Sequence, residues 1–207
     1  MRFVLVHMSC AGAWAWADVP DRLRAAGHDV VAPDLDLTPG QTPTTHADAV
    51  AAAVGPGGDD LVLAGHSYGG LVLAVLADRL RDRTRALVVI DGLMADPGDS
   101  AASLRPASAA ARGEAARETG LWWPEVDDPA PDWAPRLVAM PISAWEAPVR
   151  FTPLDVPRTF VLCLRDPMAD QAERARERGW TVVEVDRHHE LPLEDPELCA
   201  QLLLDVV

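Results

Sequence analysis

The sequence predicts an α/β fold in which helices flank an open, doubly wound, mostly parallel sheet of six strands. Two observations lead to this prediction: short apolar runs rich in β-branched residues recur along the chain, and amphipathic segments separate them. Strands buried on both faces have this continuous apolar character. In such sheets, ligands bind beyond the carboxyl ends of the strands. The predicted strands are residues 3–6, 30–32, 61–64, 87–90, 159–164 and 181–185.

The predicted helices end at a glycine or in a basic last turn, which are the usual signals of a helix carboxyl end. A final helix should lie on the sheet. The chain has 207 residues and no low-complexity linker, so we expect residues 1–207 to form a single domain around one core. The helices span residues 19–26, 45–54, 70–80, 171–178 and 196 to about 207.

The interval between the fourth and fifth strands interrupts this alternation. Residues 92–157 contain no convincing strand, yet they hold ten of the 18 prolines and four of the seven tryptophans. Disordered segments are depleted in aromatic residues. We therefore expect residues 93–157 to form a partly helical cap over the crevice; the alternative is an excursion packed on the side of the domain.

Charge and composition exclude several functions. With 18 basic and 32 acidic residues, the net charge of −14 should repel nucleic acid and anionic membrane surfaces. All the basic residues are arginines, which excludes mechanisms that need a lysine. The amino-terminal apolar run is too short for a signal peptide or a membrane span, so we expect a cytoplasmic protein. The three cysteines should be free thiols, and nothing indicates a metal or a cofactor.

The most specific motif is Gly65-His66-Ser67-Tyr68-Gly69, which lies between the third predicted strand and a predicted helix. A G-x-S-x-G sequence in this context is typical of a nucleophilic serine on a strained turn, where the two glycines let strand and helix approach closely. The helix amino terminus favours developing negative charge. Ser67 is therefore the candidate nucleophile, and the amide of Tyr68 is a candidate oxyanion donor.

The loop after the first strand reads His7-Met8-Ser9-Cys10-Ala11-Gly12-Ala13-Trp14. It resembles the HGxxHGAW loop of the plant methylesterase and hydroxynitrile-lyase branch of α/β-hydrolases and of their small bacterial relatives. The resemblance extends over nearly the whole chain and implies a trimmed α/β-hydrolase fold. It also implies that the second oxyanion amide belongs to Ser9. Met8 replaces the usual glycine, and His7 is expected to pin the loop by hydrogen bonds.

In this fold the acid and then the base follow the serine along the chain. Asp166, just past the fifth strand, is the predicted acid, and Asp91, which ends the fourth strand, is the alternative. The base should lie after the sixth strand. Relatives carry a proline seven residues after this histidine, and Pro196 has that spacing from His189; His188 is the alternative.

These residues together predict a serine hydrolase that cleaves a carboxylic ester, lactone or thioester through an acyl-enzyme on Ser67. The same triad could instead carry out acyl transfer or cyclisation in natural-product assembly. Cyanohydrin cleavage is disfavoured because Met8 and Glu190 stand where the lyases have threonine and lysine, and an inactive binding module is disfavoured because the triad is complete.

The expected partner is a small molecule with an apolar or aromatic acyl group. Two adjacent tryptophans of the cap cannot both face one core, so at least one should face the crevice or solvent. The alternative is that all the cap tryptophans pack the cap onto the sheet. A homodimer stays an open alternative. The candidate substrate contacts are Met8, Trp122, Trp123 and Trp145.

Overall fold

The computed structural model describes residues 1–124, 131–165 and 168–207. Six parallel strands form the main sheet, which confirms the predicted fold class. Each strand of this sheet overlaps one of the predicted apolar runs. The strands are β1 (Arg2–Val6), β2 (Asp29–Val31), β3 (Leu61–His66), β4 (Thr84–Ile90), β7 (Arg158–Cys163) and β8 (Thr181–Val185). Their spatial order is β2-β1-β3-β4-β7-β8.

The helices begin at recognisable caps. The Thr42 side chain accepts from the Thr45 amide at the start of the helix Pro43–Val54, and the Asp195 side chain accepts from the Leu198 amide at the start of the helix Pro196–Leu204. No helix formed by the described residues is long and apolar enough to cross a membrane. The helices are α1 (Val19–Ala25), α2 (Pro43–Val54), α3 (Gly69–Arg79), α4 (Ala101–Leu104), α5 (Pro106–Ala115), α6 (Ile142–Glu146), α7 (Ala169–Glu177), α8 (Leu191–Glu194) and α9 (Pro196–Leu204).

The core lies on both faces of the sheet because side chains alternate along each strand. On β1, Phe3 and Leu5 pack with α1 and α9, whereas Val4 and Val6 pack with α2, α3 and α7. The chain thus crosses from β1 to β2 on one face and from β2 to β3 on the other. The direction of winding reverses between β1 and β3, and this switch point is where a doubly wound sheet forms a crevice.

The segment between β4 and β7 contains α4, α5, α6 and a short antiparallel pair, β5 (Leu121–Trp122) and β6 (Met140–Pro141). The sequence shows no strand pattern here because two residues are too few to show a period. The buried side chains of this segment, among them Trp122, Met140 and Trp145, belong to the same apolar cluster as β1, β3 and β4.

Candidate active site

Ser67 lies at the turn between β3 and α3, with a φ of 55° that non-glycine residues rarely adopt. The close packing of this turn explains the two glycines. A Cβ on Gly65 would lie 2.5 Å from the Gly69 carbonyl oxygen, and one on Gly69 would lie 2.3 Å from the Val6 carbonyl oxygen. The turn is held by the Ser67 amide, which donates to the Ile90 carbonyl at 3.1 Å. Ser67 therefore sits on a strained turn at the carboxyl end of β3, as the motif predicts.

His189 joins Ser67 to a carboxylate. Its Nε2 lies 2.9 Å from Ser67 Oγ, and its Nδ1 lies 2.6 Å from Asp91 Oδ2. A carboxylate oxygen can only accept a hydrogen bond, so Nδ1 carries the hydrogen and Nε2 is left as a base facing the serine hydroxyl. This is the geometry of a nucleophile, a base and an orienting acid.

Asp91 is fully buried at the carboxyl end of β4, and its backbone also has a positive φ, 39°. Its second oxygen, Oδ1, accepts from the amide of Cys163 at 3.0 Å. The carboxylate is thus oriented by β7 on one side and by His189 on the other. Asp166, the residue predicted from the sequence as the acid, lies outside the described residues. The contact expected of the acid is made by Asp91, the alternative.

The loop that carries His189 is held from several sides. The ring of His66, which directly precedes the serine, donates from Nε2 to the His189 carbonyl at 2.8 Å. Arg187 Nη2 lies 2.9 Å from Asp195 Oδ2 at the start of α9. Burial lowers the pKa of His66 to about 3, so this ring stays neutral. His188 is exposed, and its amide donates to Glu194, so His189 is the histidine that faces Ser67.

The loop after β1 packs directly against the serine turn. His7 is fully buried; its Nε2 accepts from the Leu35 amide at 3.0 Å, and its Nδ1 donates to the Met8 carbonyl at 2.8 Å. Burial lowers the pKa of His7 to about 4. His7 thus pins the loop, the role favoured by the sequence. Among the described residues, the amides of Ser9 and Tyr68, the two candidate oxyanion donors, have no backbone acceptor.

The predicted substrate contacts occupy three different environments. Trp122 and Trp145 are buried and pack edge to face, with ring centroids 5.5 Å apart. The Arg112 guanidinium lies over both rings, 4.5 and 3.9 Å from their centroids. Met8 is buried in a small apolar cluster with Ala11 and Ala15. Trp123 is 66% exposed, and its substrate role stays a prediction.

Two histidines near the site, His66 and His46, have positions that the sequence alone did not predict. His66 could have been noticed because it lies inside the serine motif. His46, on α2, gave no such signal; its ring lies 3.0 Å from the Tyr68 hydroxyl, a contact between residues 22 positions apart.

Known proteins resemble this chain in sequence and in fold. It is 38% identical over 114 residues to a carbendazim hydrolyzing esterase of Nocardioides sp. (strain SG-4G), a match that covers 50% of this chain and 47% of that protein. It is 40% identical over 104 residues to esterase PIR7B of Oryza sativa subsp. japonica, covering 44% and 38% of the two chains. The matched region thus spans less than half the length of these relatives.

Solved structures extend the likeness of fold to the whole chain. An extracellular alpha/beta-hydrolase from a Paenibacillus species superposes with a TM-score of 0.85 at 20% identity, covering 100% of this chain and 98% of that one. Polyneuridine aldehyde esterase superposes with a TM-score of 0.75 at 22% identity, covering 99% and 98%. A sequence model of the alpha/beta hydrolase family matches residues 3–202. The chain belongs to the alpha/beta hydrolase family.

Proposed function

We propose that this protein hydrolyses a carboxylic ester, with Ser67 as the nucleophile, His189 as the base and Asp91 as the acid. The observation that carries the proposal is the continuous pair of hydrogen bonds from Ser67 Oγ through the His189 ring to Asp91, at 2.9 and 2.6 Å. Asp91 takes the role that the sequence favoured for Asp166. The esterase names of the matched relatives support the reaction class.

The acylation half of the reaction follows from these positions. As Ser67 Oγ attacks the ester carbonyl carbon, His189 Nε2 takes the hydroxyl proton, and Asp91 stabilises the resulting imidazolium through Nδ1. The carbonyl oxygen becomes an oxyanion. When the tetrahedral species collapses, the carbon–oxygen bond to the alcohol breaks, and His189 returns its proton to the leaving oxygen.

Deacylation repeats the sequence with water. His189 removes a proton from water as the water oxygen attacks the acyl carbon. When the second tetrahedral species collapses, the bond between the acyl carbon and Ser67 Oγ breaks, His189 returns its proton to Oγ, and the carboxylic acid is released. In both halves we propose that the amides of Ser9 and Tyr68 bind the oxyanion. Their lack of a backbone acceptor among the described residues and the contact of the β1 loop with the serine turn support this.

We further propose that residues 1–207 form one hydrolase unit in which residues 93–157 act as a cap. Trp122 and Trp145 support this, because their cluster also contains Cys10 and Tyr68 from the two loops of the site. The substrate is proposed to be a small ester with an apolar acyl group, since Cys10, Tyr68, Trp122 and Trp145 belong to one apolar cluster.

A fluorophosphonate probe tests the proposal. The protein should be labelled at one serine, and fragment mass analysis should place the label on Ser67, with no label on Ser67→Ala. A panel of p-nitrophenyl esters should be turned over, and mass analysis should identify the free acid as product. His189→Gln should abolish both labelling and turnover, whereas the matched change His188→Gln should leave them intact. Labelling at another serine, or full turnover by Ser67→Ala, would refute the proposal.

A further inference from the structure

A buried hydrogen-bonded chain connects the residue after the nucleophile to the loop that precedes α2. Tyr68 and His46 are each 1% exposed, and their rings meet edge to face with centroids 5.9 Å apart. Tyr68 follows Ser67 at the start of α3, and its amide is a proposed oxyanion donor. Its side chain therefore extends from the active-site turn to α2.

The direction of each hydrogen bond in this chain can be assigned. His46 Nε2 lies 2.7 Å from the carbonyl oxygen of Asp36, which can only accept, so Nε2 carries the hydrogen. His46 Nδ1 is then an acceptor, and the Tyr68 hydroxyl, 3.0 Å away, donates to it. Burial lowers the pKa of His46, which keeps the ring neutral and preserves this direction.

The same short loop, residues 34–36, also holds the other side of the site. The Leu35 amide donates to His7 at 3.0 Å, and the Asp34 carboxylate accepts from the Ala13 amide at 2.6 Å. His7 and Ala13 flank the part of the β1 loop that includes Ser9. Both proposed oxyanion donors are therefore tied to one loop, one of them through His46.

We propose that His46 and the Tyr68 hydroxyl are positioning residues, which hold the Tyr68 amide at the distance from the Ser9 amide that an oxyanion requires. This inference rests on the proposed function. It goes further in giving a buried tyrosine hydroxyl and a histidine on α2 a role in the chemical step, although neither touches the substrate. An oxyanion site tolerates errors of only about 0.5 Å in its donors.

The test compares Tyr68→Phe, which removes only the hydroxyl, with Thr84→Val. Thr84 is an equally buried hydroxyl that donates to the Leu80 carbonyl at 3.0 Å, but it lies at the amino end of β4, away from the site. We expect Tyr68→Phe to lower kcat for a p-nitrophenyl ester about tenfold with KM within about twofold of the unaltered protein. Thr84→Val should leave both parameters unchanged.

Two inhibitors separate positioning from general loosening. A trifluoromethyl ketone forms an anionic tetrahedral adduct with a serine, whereas the matching methyl ketone binds without forming one. Affinity for the trifluoromethyl ketone should fall in Tyr68→Phe by the same factor as kcat, and affinity for the methyl ketone should not change. His46→Leu should give a similar loss, and the double variant with Tyr68→Phe should lose no more than the worse single variant.

The outcomes distinguish this inference from the proposed function. If the unaltered protein neither turns over esters nor takes the fluorophosphonate label, the proposed function fails and the inference fails with it. If the unaltered protein does both, and Tyr68→Phe matches its kcat or loses affinity equally for both ketones, the inference alone is overturned. A loss of kcat in Thr84→Val as large as in Tyr68→Phe would also overturn it.

Discussion

Asp91→Asn should remove most of the activity while leaving substrate binding intact. The Asp91 carboxylate accepts from Cys163 through one oxygen and from His189 through the other. In asparagine the amide oxygen would keep the Cys163 hydrogen bond, so its NH₂ group would face His189 Nδ1. Two donors cannot face each other, and the ring would change to the tautomer with hydrogen on Nε2. That tautomer cannot accept the Ser67 proton. We expect kcat to fall about 10⁴-fold, which is about 5 kcal/mol of transition-state stabilisation.

The assay is the initial rate of hydrolysis of a p-nitrophenyl ester, fitted for kcat and KM, with melting temperatures to show that each variant is folded. Asp166→Asn is the matched control, and it should change kcat little. The reasoning would be refuted if Asp91→Asn kept more than a tenth of kcat, or if Asp166→Asn lost more activity than Asp91→Asn.

Three further predictions concern packing and pH. Gly69→Ala should destabilise the fold by roughly 1–3 kcal/mol in urea unfolding, because its Cβ would lie 2.3 Å from a main-chain oxygen of β1. Gly113→Ala is the control and should be tolerated, because its Cβ would meet nothing closer than 3.8 Å. Equal losses of stability in the two variants would contradict this account. Burial lowers the pKa of His7 to about 4 and of His66 to about 3, from 6.5. The stability that each neutral histidine contributes is therefore fully present above pH 6.5 and is lost as the pH falls towards these values. For each histidine, lowering the pH from 7 to 5 should decrease the free energy of unfolding by about 2 kcal/mol. An equal free energy of unfolding at both pH values would contradict this prediction. Trp145→Ala should lower the stability by about 3–5 kcal/mol and lower kcat/KM equally for large and small esters, because the buried ring packs against Trp122 within the cap. A loss of kcat/KM confined to large esters would show instead that the Trp145 ring contacts the substrate.

Local sequence patterns predicted much of the fold. The apolar runs that form β1, β3 and β4 are contiguous in sequence. Because these strands are buried on both faces, nearly all their residues are apolar, and this pattern can be recognised without knowledge of distant residues. The serine turn could also be predicted from the sequence, because close contacts with neighbouring backbone require glycine at positions 65 and 69. The β5–β6 pair was not visible, since a two-residue strand has no period.

The orientation of the cap tryptophans could be only half predicted. Adjacency alone requires Trp122 and Trp123 to face different surroundings, and the structure does bury one and expose the other. Which of them is buried depends on Trp145 and Arg112, more than twenty and about ten residues away along the chain, which meet the Trp122 ring only in the folded protein. From the sequence alone, both residues were therefore candidate substrate contacts.

By itself, the sequence determined the fold class, the place of the candidate nucleophile and the residue types of the proposed triad, because strand patterns and turn chemistry are properties of contiguous residues. Only the tertiary structure decided which partners meet. His189 lies 98 residues from Asp91 and 122 residues from Ser67 along the chain, and their contact depends on how the loops after β3, β4 and β8 converge at one edge of the sheet. Candidate carboxylates follow both β4 and β7, and candidate imidazoles are adjacent after β8. The choice between such neighbours is a matter of a few ångströms in three dimensions, which the spacing of residues along the chain does not encode.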